Sequence, residues 1–312
     1  MGSVISGIQK DVVMKKLLFT GASGFLGANI KPLLEQKYKV STLGLSESDN
    51  FYCNIAQDVP ELTNSYDVIL HAAGKAHSVP RTEAEAKVFF DVNFEGTKNL
   101  CQALEKVGLP KAFIFISTVA VYGCENGENI DELHSLNGDS PYALSKKQAE
   151  YFLIDWAEKH NVILSIIRPS LIAGPNPPGN LGAMINGIQT GKYLSIAGGK
   201  ARKSVLMVQD IANLVPLLAD KGGIYNVCDS KQPTFRDLEI TISKQLGKSK
   251  PINVPYWFAK GLALIGDCMG KYAPINSSKL DKIVKSLTFS NEKIKRELGW
   301  EPLDVFTHFK IK

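Results

Sequence analysis

Residues 15–27 read KKLLFTGASGFLG, and the fold follows from how that run changes character at Gly21. Leu17, Leu18 and Phe19 form a continuous apolar stretch ending in Thr20, the pattern of a strand buried on both faces. Gly21, Ala22, Ser23 and Gly24 then turn the chain, and residues 25–36 carry apolar side chains at helical spacing. Strand, glycine turn and helix together set a pyrophosphate on a helix N-terminus, where free N–H groups and the dipole favour an anion. Gly21 permits the tight turn, Gly24 lets backbone approach phosphate, and Gly27 lets the helix pack against the strand. The spacing is TGxxGxxG, not GxGxxG. A glycine-rich turn with no ligand is the bland alternative, and the rest of the chain has to decide.

A chain of 312 residues suffices for one large or two modest domains. The net charge of +5, with lysines and arginines read as scattered, gives no nucleic-acid footprint and suits an anionic small substrate. Cys53, Cys101, Cys124, Cys228 and Cys268 are odd in number and far apart, without CxxC spacing. That implies reduced cytoplasmic thiols and no metal. His71 and His77 match no zinc or helical spacing and read as structural. No apolar run approaches a membrane span. The start MGSVIS loosely fits N-myristoylation through Gly2 and Ser6, though an arbitrary leader explains it equally. Met14 directly precedes the first strand, so residues 1–13 read as an extension outside the fold.

Further strands are expected at 39–43, 50–55, 66–71, 111–116 and 162–167, with helices at about 83–107 and at 142–160. This alternation implies an α/β fold with a doubly wound parallel sheet and right-handed crossovers. After Arg168 the chain becomes rich in proline and glycine, from Pro169 to Gly179, and cannot be regular there. A strand at 223–227, a helix at 235–246 and a last helix at 291–298 ending at Gly299 complete the reading. The division is a dinucleotide-binding domain at 14–168, with returning segments near 204–230, and a mainly substrate-binding lobe at 169–312. That lobe faces the carboxyl ends of the strands, where ligands bind in open α/β sheets.

Chemistry converges on the same strand ends. The fifth strand runs into STVAVYG, which contains Thr118, and the helix after it opens with YALSK, residues 142–146. Tyr142 and Lys146 stand at i and i+4, on one helix face. Free tyrosine titrates near 10, so a phenolate at neutral pH needs nearby positive charge, which Lys146 and an oxidised nicotinamide could both supply. Alone, YxxxK is common on solvated helices. Behind a dinucleotide turn, with Thr118 just past a strand end to hydrogen-bond a reacting oxygen, it reads as an active site.

With these motifs the chain resembles the extended short-chain dehydrogenase/reductases of the NAD-dependent nucleotide-sugar epimerase/dehydratase family. The matching pieces are TGASGFLG, HAAG, VNFEGT, STVAVYG, YALSK and Arg168–Pro169, then SVLMVQDIA, YNVCD and ELGWEP in the C-terminal lobe. The resemblance implies a Rossmann sheet, NAD or NADP, and a nucleotide-diphosphate sugar. It makes Tyr142 the general base and acid, Thr118 the residue that orients the substrate oxygen, and Lys146 the ligand of the nicotinamide ribose. Gly21, Ser23, Gly24, Phe25, Leu26 and Gly27 would hold the pyrophosphate. Asn54 and Ile55 fall where the family touches adenine, and Ala72, Ala73, Gly74 and Pro169 would line the cofactor. Asn93 is a candidate brace for the site. Lys203, its neighbour Arg202, and Asn180 are the candidates for the substrate diphosphate.

Departures from the pattern narrow the reading. Gly44 stands where the family often has an acid for the adenosine ribose, and no arginine beside it welcomes a 2′-phosphate, so cofactor choice stays open. Val119 and Ala120 stand where dehydrating members carry an acid, which argues against elimination. Leu171 replaces an asparagine that many sugar epimerases have near the diphosphate. The expectation is a cytoplasmic C4 epimerase working through a transient keto sugar, with a homodimer as the candidate assembly. A one-way 4-keto sugar reductase is the close rival, and a noncatalytic dinucleotide sensor the distant one.

Overall fold

Leu17, Leu18, Phe19 and Thr20 are all buried, which is what a strand in the middle of a two-sided sheet requires. The computed structural model describes residues 14–76, 78–269 and 276–311; the extension at 1–13 and His77 lie outside the described residues. The first half comprises β1 (Lys16–Thr20), α1 (Phe25–Leu34), β2 (Lys39–Gly44), β3 (Phe51–Tyr52), β4 (Val68–His71), α2 (Glu83–Phe90), α3 (Gly96–Val107) and β5 (Ala112–Ile116). It continues with β6 (Gly127–Ile130), α4 (Pro141–His160), β7 (Ile163–Pro169) and β8 (Leu171–Ala173). Then come α5 (Gly179–Gln189), β9 (Leu194–Ile196), β10 (Val205–Met207), α6 (Val208–Lys221), β11 (Gly223–Val227) and α7 (Phe235–Gln245). The last elements are β12 (Ile252–Val254), α8 (Tyr256–Met269), α9 (Ser277–Val284), β13 (Leu287–Phe289), α10 (Glu292–Leu298) and α11 (Val305–His308).

Seven strands form one sheet in the order β11-β7-β5-β4-β1-β2-β3, and every pairing in it is parallel. Thr20 lies opposite both Leu43 and His71, so β1, β2 and β4 end together. From β1 the chain builds outward to β2 and β3, then returns to place β4 on the other flank. That reversal opens a crevice at the strand ends, the usual ligand position in such sheets. One face is covered by α1 and α6 through Ile30, Leu34, Ile211, Leu214, Val215 and Leu218. The other is covered by α3 and α4 through Leu100, Leu104, Ala149, Leu153 and Trp156. Each such large apolar side chain stabilises the fold by about 1.5–3 kcal/mol.

Beyond the sheet, the described residues form two-stranded pairs: β8 with β10, β9 with β12, and β6 with β13. Leu181, Met184 and Ile188 of α5 pack on Leu238 and Ile242 of α7 and on Val305 and Phe309. Ala259 and Ala263 of α8 pack on Leu280 of α9. None of the described helices is long and apolar enough to cross a membrane.

Three expected features change shape. The passage from Pro169 to Gly179 is not wholly irregular, because β7 ends on Pro169 and Leu171–Ala173 form β8, held by parallel pairing with β10. The strand expected at 50–55 is only Phe51–Tyr52: the Asn54 side chain accepts the Ala56 N–H at 3.3 Å and its carbonyl accepts the Gln57 N–H at 2.9 Å. An asparagine that folds the backbone onto itself stops a strand. The helix expected across 83–107 is broken by a π-helical turn at Asp91–Glu95.

Candidate active site

Gly21 adopts φ +78°, and a Cβ there would meet the Ala73 nitrogen at 2.6 Å and the Ala72 carbonyl carbon at 2.8 Å. Only glycine permits both that conformation and that approach. Gly27 is fixed by packing instead, since a Cβ would come within 2.3 Å of the Ala22 carbonyl oxygen. Gly24 starts α1 with no side-chain cap, so the first turn presents its N–H groups without a carboxylate or hydroxyl to occupy them.

One cleft is lined by Gly21, Gly24, Phe25, Leu26, Ala72, Gly74, Thr118, Tyr142, Lys146 and Pro169, residues drawn from five separate sequence motifs. Tyr142 arrives there because α4 begins just before it. Ser140 accepts the Ala143 N–H at 3.2 Å, and Pro141 occupies the first turn, a favoured helix start. Thr118 follows the end of β5 in extended conformation, its hydroxyl accepting the Ala120 N–H at 3.1 Å. Tyr142 and Thr118 line this same cleft. Burial pushes the phenol above its ordinary value, and the neighbouring Thr118 hydroxyl pulls in the opposite direction. The low tyrosine pKa expected from the neighbouring lysine is therefore absent from the protein alone. Lys146 is almost fully buried and donates to the Ile116 carbonyl at 2.8 Å. Burial brings its pKa down to about 8, with the Glu150 carboxylate opposing that fall.

Asn93 sits in the π-helical turn, completely buried. Its amide accepts the Lys75 N–H at 2.8 Å and donates to the Lys75 carbonyl at 3.1 Å and to Ser145 Oγ at 2.9 Å. The extra residue of such a turn re-aims one side chain, and here it ties the chain after β4 to the Tyr142–Lys146 helix. A Cβ on Gly74 would lie 2.9 Å from the Asn93 oxygen and 3.2 Å from Lys146 Nζ. Deeper still, Arg168 clamps Glu150 through two nitrogens at 3.1 and 2.5 Å, and Glu150 also accepts the Ser117 hydroxyl.

Other sequence-predicted residues lie away from the lining. Ser23 is exposed on the turn. Ala73 donates its N–H to Thr20 Oγ1 at 3.1 Å. Asn54 is occupied with its own turn, and Ile55 is buried in the core under Gly96. Asn180 is exposed on α5 and Arg202 is exposed. Lys203 donates to the Lys285 carbonyl at 3.0 Å, and burial lowers its pKa to about 8.

Two residues that sequence reading passed over stand out. Ser170 lines the cleft, is 8% exposed, and its hydroxyl has no partner among the described residues. Asp49 lies at the end of β2: a Cβ on Gly44 would be 2.5 Å from its Oδ2. That is about the separation at which an aspartate at 44 would carry its own carboxylate oxygens. Asp49 is held there by the Ser46 N–H, which it accepts at 3.0 Å.

The family model described as the NAD dependent epimerase/dehydratase family matches residues 17–228. This protein belongs to that family. It is an NAD(P)-dependent enzyme of the extended short-chain dehydrogenase/reductase type. The chain is 30% identical over 298 residues to an N-acetyl-alpha-D-glucosaminyl-diphospho-ditrans,octacis-undecaprenol 4-epimerase from Escherichia coli O157:H7, covering 89% of this chain and 88% of that one. It is 27% identical over 316 residues to a UDP-glucose 4-epimerase from Vibrio cholerae, covering 92% and 91%. The structure of a UDP-N-acetylglucosamine 4-epimerase from Bacillus cereus superposes with a TM-score of 0.74 at 19% identity, over 95% of this chain and 93% of that one. A dinucleotide fits the residues present: the Gly21 turn, the uncapped start of α1 and the partnerless Ser170 hydroxyl each offer it a polar or close backbone contact.

Proposed function

We propose that this protein interconverts C4 epimers of a nucleotide-diphosphate sugar through a transient 4-keto sugar. The observation that carries this reading is that Thr118, Tyr142 and Lys146 line one cleft with the glycine turn, Lys146 standing one helical turn on from Tyr142. A dinucleotide held in this cleft would supply the hydride acceptor and donor that the reaction needs. Tyr142 takes the proton of the C4 hydroxyl and gives it back, while Thr118 holds that oxygen in line. Lys146, charged below about pH 8, binds the nicotinamide ribose and makes loss of the phenolic proton less costly.

The same reading gives the glycine turn (Gly21, Ser23, Gly24, Phe25, Leu26 and Gly27) to the pyrophosphate, and Ala72, Ala73, Gly74, Pro169 and Ser170 to the nicotinamide half. Asn54 and Ile55 border the adenine. Asp49 takes the adenosine ribose diol in place of the acid missing at Gly44. A carboxylate there repels a 2′-phosphate, so the preferred cofactor is NAD. Arg202, Lys203 and Asn180 receive the substrate diphosphate, on a mainly substrate-binding lobe at 169–312, facing the cofactor domain at 14–168. The assignment places the enzyme in the cytoplasm. Val119 and Ala120, in place of an acid, argue against dehydration. A second reading is favoured by the 30% identical relative, whose sugar diphosphate is attached to undecaprenol: the carrier would then be a polyprenyl chain, with the chemistry at C4 unchanged.

Incubation with UDP-N-acetylhexosamines or UDP-hexoses tests the reading. C4 epimers should interconvert with no net change in reduced-nicotinamide absorbance. Stoichiometric oxidation of added NADH or NADPH by a 4-keto nucleotide sugar, without epimer formation, would replace the epimerase by a reductase.

A further inference from the structure

Helix α8 reads YWFAKGLALIGDCM and is inverted relative to an ordinary surface helix. The side that meets the protein is made of small residues, Ala259, Ala263 and Gly266, all buried. The side that faces outward carries Trp257, Phe258, Leu262, Leu264 and Ile265, exposed by 73, 48, 43, 56 and 61%. At 100° per residue these five span one continuous arc. Ile252 and Leu194, paired across β12 and β9, add further exposed apolar surface on the same lobe. Patches of this extent on a folded protein mark an interaction surface.

Charge identifies the partner. Eight of the chain's 36 basic residues lie between 244 and 285, against only two of its 31 acidic ones. The positive charge that looks scattered along the sequence is therefore concentrated here, and the remainder of the chain is slightly acidic. Within α8 the one acid, Asp267, is turned toward α9, where it accepts the Ser277 N–H at 3.0 Å. Lys260, on the same helix, is exposed. Lys282 and Lys285 meet Glu125 and Asp281 in exposed pairs, which contribute little and yield readily to another anion. Aromatic residues at one end of an apolar helix face, with lysines around it, form the pattern of a helix lying in a membrane interface. At 14 residues the helix is too short to span a bilayer.

We infer that α8 docks the protein onto an anionic lipid surface, with Trp257, Phe258, Leu262, Leu264 and Ile265 entering the headgroup layer and Lys260, with Lys282 and Lys285 of the adjoining α9 segment, meeting lipid phosphates. The inference rests on the surface alone and holds whichever sugar carrier the cleft accepts.

Trp257 provides its own reporter, because the other two tryptophans, Trp156 and Trp300, are each only 5% exposed. The full chain is mixed with vesicles of phosphatidylcholine, with or without phosphatidylglycerol, and followed by tryptophan emission and co-sedimentation. The expected result is a blue shift and sedimentation with the anionic vesicles. Affinity should be at least about tenfold above that for neutral ones and weaken with salt, since lysines near such a surface are attracted to its anionic headgroups and that attraction is screened. Leu264→Glu with Ile265→Glu should abolish both signals and leave the melting temperature and turnover of a water-soluble nucleotide sugar unchanged. Three results would overturn the proposal: no binding to anionic vesicles by the wild-type chain, a concentration-dependent dimer that the double variant dissolves, or a Trp257 emission, read as the difference between the wild-type and Trp257→Phe spectra, that is already blue-shifted before lipid is added. The second would assign the face to another copy of this chain, and the third to a segment of the same chain.

Discussion

The central sheet and the outer lobe treat unlike groups in opposite ways. In the sheet even charge is answered internally: Arg168 and Glu150, both almost completely buried, grip each other and are joined by Ser117 and Tyr122. In the lobe, the two-stranded pairs and α8 leave Trp257, Ile265 and Ile252 facing outward. The buried charge of the sheet half is met by its own contacts, whereas the lobe carries an apolar helix face that we assign to an outside partner. A cofactor that stays through a catalytic cycle suits the first kind of region, and a substrate or support that comes and goes suits the second.

The contrast can be broken most severely in the sheet. Arg168→Met leaves Glu150 buried and uncompensated, and should cost about 3–5 kcal/mol in urea unfolding. Trp257→Ala, in the lobe, should stay within about 0.5 kcal/mol. Equal losses would remove the distinction. Tyr142→Phe should lower kcat by a factor on the order of 10² or more while NAD affinity, measured by calorimetry, is retained. Thr118→Val should move the same way less steeply. Near wild-type turnover in the phenylalanine variant would displace Tyr142 from the chemistry.

On the lobe side, Arg202→Ala and Lys203→Ala should each raise KM for the nucleotide sugar roughly tenfold to a hundredfold, the scale of a charge-assisted bond to phosphate. NAD affinity should be spared. An unchanged KM in the double variant would move the diphosphate elsewhere. The smallest effect is expected at the edge of the cofactor crevice. Asp49→Ala should weaken NAD binding about tenfold and narrow its advantage over NADP, both read as dissociation constants. A variant with the wild-type preference would show that the carboxylate beside Gly44 does not meet the ribose.

Legibility in the sequence follows the same division. The strand at 112–116 is apolar throughout and that at 16–20 is apolar across Leu17–Phe19 and stopped by a glycine turn, and the Gly21 turn has a conformation open to few residues, so both could be read directly. The three-residue strands β8, β9, β10, β12 and β13 are too short to show any period. Asn54 ended a strand through a hydrogen bond to its own backbone, a local effect that β-propensity does not register. Asp49 escaped notice because the space at Gly44 is filled from five residues downstream, across a loop. Ser170 is an unremarkable serine in the sequence; only the fold leaves its hydroxyl buried without a partner. The lysines of 244–285 were visible throughout, but their meaning depended on a helix that turns its small residues inward.

The edge strand β11 (Gly223–Val227) pairs with β7, although β8, α5, β9, β10 and α6 intervene in the chain. During synthesis, β7 therefore leaves the ribosome well before its neighbour and waits with an open edge, the kind of template on which nascent chains mispair. A ribosome that paused between Pro169 and Gly223 would prolong that exposure. The lobe elements made in the interval cannot close the edge, so completion of the sheet is a late event in the life of the polypeptide.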